Sequence, residues 1–231
     1  FVLSLRREDG DQQFGSIDTT LPEGLLGRLA GVQECPDAQI AQAEARRNPG
    51  KGALEKASPS CPPGSEVGVV DVGAGSGTPL HVQGHAYLAG PYKGAPLSLA
   101  IVTPALAGPF DLGVVVVRAA LYVNEVSAQI HAVSDPLPHI LAGIPLDIRS
   151  IEVAVNRPGF TLNPTSCEPK QVTGTATSLL GLTSPLTQRF QVGGCAGLAF
   201  KPKLSLNLSG QVGRLGFPTL KAVLRQPAGE N

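Results

Sequence analysis

An all-β fold is predicted by three features of this 231-residue chain: recurrent alternation of apolar and polar residues, turn residues between the alternating stretches, and scarce helical periodicity. The alternation is plainest where Leu204, Leu206 and Leu208 are set between Lys203, Ser205, Asn207 and Ser209, the pattern of a strand with one buried face. With 28 Gly and 21 Pro, about one residue in five is a turn former, against a background nearer one in eight. That content alone disfavours long helices.

Taken in order, strands are expected at 1–7, 14–20, 66–72, 80–88, 97–103, 112–123, 126–133, 146–156, 170–177, 187–192, 203–209 and 217–225. The run Leu112 to Val117 has no polar side chain and so predicts a strand covered on both faces. Ala95 to Leu106 reads as a core strand rather than an adhesive edge. Along 146–155 the apolar phase changes between Ile148 and Ile151, which a bulge near Arg149 and Ser150 accommodates. The main helix is expected at Pro36 to Arg47, where Pro36 and Asp37 suit a first turn and Asn48-Pro49-Gly50 makes a stop. A shorter helical turn is expected at Glu23 to Ala30, weakened by Gly24 and Gly27 at about 1 kcal/mol each. These elements predict two β-sandwich-like, Ig-like units: residues 1–92, with a disulfide-tethered helical insert at about 36–57, and residues 93–231.

The cysteines are Cys35, Cys61, Cys167 and Cys195, two sequential pairs 26 and 28 positions apart with 106 positions between them. None forms a C-x-x-C, so a tetrahedral zinc site is not expected. Four cysteines permit three connectivities; sequential pairing is the natural one, each loop then contributing roughly 3 to 4 kcal/mol. Four buried free thiols are the alternative. Disulfides imply an oxidising compartment, and hence an extracellular or cell-surface location. The chain opens on Phe1, contains no Met and shows no basic segment followed by an apolar one, as expected of a piece of a longer protein. No apolar run approaches the ~18 residues of a membrane span.

Charge excludes several function classes. Eighteen basic residues balance 18 acidic ones, and the pairs Arg6-Arg7 and Arg46-Arg47 lack interleaved aromatics, so nucleic acid is not an expected partner. Val69-Val70-Asp71-Val72-Gly73-Ala74-Gly75-Ser76-Gly77 is similar to the first motif of S-adenosylmethionine-dependent methyltransferases. That chemistry needs a helix after the turn and an acid about 20 residues on. Thr78 to Gly84 is a poor helix and no Asp or Glu occurs between Asp71 and Asp111, so a hairpin loop is expected instead. His81 and His85 stand about 13 Å apart on a strand, too far to share a metal. His131 and His139, bracketing Asp135, read as ordinary histidines. No serine has glycine at both i−2 and i+2. Glu8, Asp9 and Asp11 carry oxygens that could meet calcium, although Asp9-Gly10 also suits a hairpin turn. Trp is absent and Tyr occurs only at 87, 92 and 122, which disfavours a sugar-binding platform. No residue is expected to be catalytic or to bind a cofactor or metal.

Two internal matches bear on organisation. Ser16-Ile17-Asp18, Pro22, Gly24 and Cys35-Pro36 parallel Ser150-Ile151-Glu152, Pro158, Gly159 and Cys167-Glu168-Pro169. Leu5-Arg6 followed by Gly10-Asp11-Gln12 parallels Leu224-Arg225 followed by Gly229-Glu230-Asn231, at an offset of 219 positions, as if the tail restarts the head. Leu21-Pro22-Glu23-Gly24-Leu25-Leu26 leading to Cys35, and Cys61-Pro62-Pro63-Gly64-Ser65-Glu66-Val67-Gly68, resemble segments repeated in very large secreted or surface-exposed actinobacterial proteins. So do Leu88 to Leu97 (LAGPYKGAPL) and Arg157 to Cys167 (RPGFTLNPTSC). The resemblance implies a surface location and tandem repetition, and it transfers no catalytic residue, that family having no assigned activity. The charged stretch Glu44 to Lys56 departs from it in length. The expected function is a non-enzymatic structural or adhesive extracellular module, one period of a tandem array whose partners are neighbouring repeats and a cell-wall or extracellular ligand. Alternatives are a polysaccharide- or protein-binding module and, second, a cofactor-binding enzyme using the 69–77 turn.

Overall fold

A computed structural model of the chain describes residues 1–211 and 213–226. They divide into two units: residues 1–164 with 169–190, and residues 165–168 with those described from 191 onward. In the first unit the elements are β1 (Val2–Arg6), β2 (Phe14–Thr20), β3 (Leu26–Gly27), α1 (Asp37–Ala45), α2 (Gly52–Ala57), β4 (Glu66–Ala74), β5 (Leu80–Ala89), β6 (Leu97–Ala107), β7 (Phe110–Val123), β8 (Ile130–Ser134), β9 (Ile140–Leu141), β10 (Ile144–Pro145), β11 (Ile148–Ala154), β12 (Thr161–Leu162), β13 (Lys170–Ser178) and β14 (Thr183–Phe190). The second unit holds β15 (Lys203–Ser209) and β16 (Thr219–Arg225).

The protein is mostly β. Ten strands of the first unit make one curled antiparallel sheet in the order β1-β11-β4-β5-β6-β7-β8-β2-β13-β14. Its two edge strands approach at one point, where the ring of Phe1, just ahead of β1, meets that of Phe190 on β14 edge-on, centroids 6.4 Å apart. This differs from the two sandwich-like units expected. The division at 92/93 falls between β5 and β6, which are hydrogen-bonded neighbours, and β11 from the second half lies between β1 and β4. Pairing across some 150 positions of sequence joins what proximity along the chain separates.

Alternation sets which face each side chain takes. On β7, Val114 and Val116 belong to a cluster under the helices, whereas Val115 and Val117 face the concave side, so the all-apolar run is covered twice. On β5, Tyr87 and Ala89 point to the helices, and Ala86 and Leu88 to the concave side. The register of β11 against β4 shifts between Ile148 and Ser150, and this bulge keeps Ile148, Ile151 and Val153 on the concave face despite their uneven spacing.

The helices cover the outer face. Ile40 and Ala43 of α1 bury against Tyr87, Ala89, Ala100, Val102 and Val114, in the same cluster as the disulfide Cys35–Cys61, whose Cα atoms are 5.3 Å apart. Within the expected insert there are thus two helices. The second starts where Asp111, from β7, accepts hydrogen bonds from the N–H groups of Gly52 and Ala53 at 2.8 Å each, replacing the cap that Lys51 does not provide. Glu55, 2% exposed, accepts from Ser60 N and Ser60 Oγ at 2.8 and 2.7 Å and pairs with Arg46.

Three local expectations are corrected. Glu23 to Ala30 is a turn leading into β3, which pairs with β12; Gly27 lies so close to the Phe160 ring that a Cβ there would sit 2.9 Å from it. The strand expected from 126 begins at Ile130, because the Asn124 side chain accepts from Val126 N and Ser127 N at 2.9 Å and makes a turn. The strand expected at 187–192 spans Thr183 to Phe190, aligned with β13.

In the second unit Cys167 and Cys195 form the other disulfide, Cα atoms 5.8 Å apart, and Gln191 donates to the Cys167 carbonyl at 2.9 Å. Strands β15 and β16 pair as a hairpin in which Leu204, Leu206 and Leu208 lie opposite Leu224, Ala222 and Leu220. All five leucines are 59 to 71% exposed.

Candidate functional site

The concave face of the curled sheet encloses a cavity of about 440 Å³. Its wall is the inward half of each alternating strand: Leu3 and Leu5 from β1, Ile17 from β2, Ile101 from β6, Val115 from β7 and Ile151 from β11. Leu3, Leu5, Ile101 and Val115 are only half-buried, although they sit on the inner face. Protein interiors are close-packed, with few voids larger than a water molecule, so a space of this size is unfilled volume rather than loose packing. It falls within the ~300–1,000 Å³ of ligand pockets.

The lining is nearly devoid of polarity. Hydroxyls of Thr19, Thr103, Ser134 and Thr161 are its side-chain polar groups, and among the described residues no charged side chain lines it. Along β6 the lining residues run from Leu97 to Ala105, eight steps or about 26 Å at ~3.3 Å each. One leaflet's share of a bilayer's hydrocarbon core is about 15 Å, so one extended acyl chain fits along this strand. Comparisons with protein-family models, curated proteins and solved structures returned no match. The wall itself therefore carries the chemical argument: it offers apolar contact over nearly all of its surface and, among the described residues, no charged side chain to fix an ionic ligand inside.

The residues singled out from the sequence lie elsewhere. The Cys35–Cys61 disulfide is behind the wall with the helices, and Cys167–Cys195 belongs to the second unit. The glycine-rich stretch 69–77 is the end of β4 and its turn into strand β5, with Gly75 and Gly77 at φ of +96° and +71°, conformations that suit glycine. His81 and His85 engage different acids across the ladder: His81 Nδ1 lies 2.5 Å from Asp71 Oδ1 and His85 Nδ1 lies 3.0 Å from Glu66 Oε1. His131 Nε2 is 2.7 Å from Asp18 Oδ1. Among the described residues no cluster of three or more His, Cys, Asp or Glu is placed to hold a metal ion.

Glu8, Asp9 and Asp11 do not converge. Asp9 pairs with Arg149 and accepts from Gly77 N at 3.2 Å, while Asp11 accepts from Glu8 N at 3.0 Å. Arg7 pairs with Asp147 and donates through Nε to the Ile148 carbonyl at 2.7 Å; Arg46 is held by Glu55. These arginines are structural ties, not a free basic surface. The Arg7 guanidinium, aided by Ser76, holds the Asp147 carboxyl below its ordinary range. For Asp111, burial alone would raise the pKa, but backbone N–H groups, those of Ala53, Gly113 and Gly52 foremost, outweigh it and lower the value. Burial pushes the Tyr87 hydroxyl well above its usual value, as befits the largest fully buried side chain of the outer cluster.

Proposed function

We propose that this chain is an extracellular binding module that takes a long apolar ligand, of the acyl-chain class, into the concave cavity of its sheet. The observation that carries the reading is the roughly 440 Å³ space walled mainly by aliphatic side chains, with no charged side chain among the described lining. Burying a methylene there contributes about 0.8 kcal/mol, so a chain of a dozen carbons gains enough to exceed the several kcal/mol of freedom lost on binding. Any polar end of the ligand stays outside, since nothing in the wall would compensate a buried charge. The module performs no chemistry of its own. Two disulfides fit an oxidising setting, and among the described residues no helix is long and apolar enough to cross a membrane. A structural role as one period of a tandem array in a larger surface protein is the second reading, favoured by the match between residues 5–12 and 224–231.

The test is displacement of a fluorescent polyene fatty acid by hexadecanoic acid, with a chitin oligosaccharide as polar comparator. Saturable one-to-one binding of the fatty acid alone is expected. Ala119→Phe places a ring in the cavity that Ala119 lines. Excluding two methylenes already costs about 1.6 kcal/mol, so affinity falls at least about tenfold. A folded protein that binds neither fatty acid, or binds both equally in the Ala119→Phe variant, overturns the reading.

A further inference from the structure

We infer that β16 is the first strand of a following module: in the next period of a tandem chain it takes the place that β1 holds here, making the β15–β16 hairpin the edge of the next sheet. The inference rests on the tandem-array reading and stands without ligand binding. Its starting point is the 219-position match, in which Leu224-Arg225 corresponds to Leu5-Arg6. Three of the matched tail residues, Gly229, Glu230 and Asn231, lie outside the described residues, so the structural argument rests on the strands.

The phase agrees at the inward positions and at Lys221 and Arg225, while Val223, which corresponds to Ser4 and is half-buried, departs from it. At this offset Leu220, Ala222 and Leu224 correspond to Phe1, Leu3 and Leu5, the residues that line the cavity. Lys221 and Arg225 correspond to Val2 and Arg6, which face solvent. A slip of one residue would put Lys221 and Arg225 inside, so the agreement in phase is a constraint rather than a free choice. Both segments are strands of similar length and both pair antiparallel.

The energetics require a cover. A two-stranded hairpin is marginal by itself in water, and this one exposes Leu204, Leu206, Leu208, Leu220 and Leu224 on one face. Single scattered leucines need no explanation; five on one face of a hairpin do. In the first unit the matching strand β1 is paired with β11, with Val2 opposite Ala154, Leu3 opposite Val153 and Leu5 opposite Ile151, and its Leu3 and Leu5 are half-buried on the concave face. The same register would set Lys221, Ala222 and Leu224 opposite Ala154, Val153 and Ile151 of the following module. Among the described residues β1 is an edge strand, with no strand on its other side. That is where β15 would lie beside β16, adding Leu204, Leu206 and Leu208 to the apolar wall and carrying the concave surface from one module into the next.

The test joins residues 1–226 of one copy to residues 8–231 of a second, so that Gln226 precedes Glu8 and β16 replaces residues 1–7. Lys221→Cys in the first copy is combined with Ala154→Cys in the second; a control combines Lys221→Cys with Val153→Cys, one residue out of register. The in-register pair should form an intramolecular disulfide in most molecules, at least tenfold more than the control, as read by mass spectrometry of non-reduced peptides. Equal or absent cross-linking in a folded fusion overturns the inference. It is overturned as well if the second copy fails to fold while a fusion retaining its residues 1–7 folds. Disulfides between molecules that rise with concentration would assign the leucine face to self-association, and hairpin-dependent sedimentation with lipid vesicles would assign it to a membrane; either result rejects the inference.

Discussion

Replacing Glu55 with alanine tests whether the helical insert is held by its buried ion pair. Glu55 is 2% exposed and Arg46 13%, and the carboxylate also takes two hydrogen bonds from Ser60. Removing one partner of a buried pair costs about 3 to 5 kcal/mol, chiefly by leaving the other charge uncompensated. Arg46 keeps its bond to the Ser58 carbonyl at 2.7 Å and some contact with water, whereas Ser60 N–H loses its acceptor. The balance places the expected loss near 3 to 4 kcal/mol, or about 10 °C in the midpoint of a unit this size. The chain has no Trp, and Tyr87, Tyr92 and Tyr122 all belong to the first unit, so tyrosine fluorescence during urea unfolding reports on that unit. A hydrophobic replacement of both partners, Arg46→Met with Glu55→Leu, should recover at least half of the loss. A Glu55→Ala change of less than about 1 kcal/mol, or a double variant worse than either single one, would refute the clamp.

Cys35→Ala with Cys61→Ala opens a loop of 26 positions, and the tyrosine-reported transition should fall by about 3.5 kcal/mol on the chain-entropy estimate. Asp111 and Asp147 are both held below the ordinary 3.8, so the folded unit binds fewer protons there than the unfolded chain. Their contribution is complete above about pH 4 and is lost as pH falls through the folded values; Asp111→Asn should be less stable than wild type at pH 7, with the gap closing under acid titration. Gly113, at φ +97°, faces the Arg47 carbonyl where a Cβ would stand, so Gly113→Ala should cost at least about 2 kcal/mol in urea unfolding.

Much of the β content was legible because period-two alternation and turn residues act locally. The bulge beside Arg149 and the two-sided cover of Val114 to Val117 could be read for the same reason: phase and polarity sit in the residues themselves. The cavity could not. Alternation says that Leu97, Leu99 and Ile101 share a face, but not whether that face meets a second sheet or curls round on its own. The match between Ser16-Ile17-Asp18 and Ser150-Ile151-Glu152 pointed to two units; the structure places these segments on β2 and β11, separate strands of a single sheet, with Ile17 and Ile151 both on the concave face. Glu23 to Ala30 forms a turn and the short β3 instead of the expected helical turn, because its local propensity is weak and Phe160, the aromatic neighbour packed on Gly27, is 133 positions away in sequence.

The edge-on meeting of Phe1 and Phe190 bears on how cargo could get in. A tube welded all round by backbone ladders must be threaded from an end. Here β1 and β14 are the two terminal strands of the ladder, and the contact across the join is between rings. In the reading proposed above, a greasy tail would enter at this join, where no ladder among the described residues pairs β1 with β14, and its bulky head would remain in water.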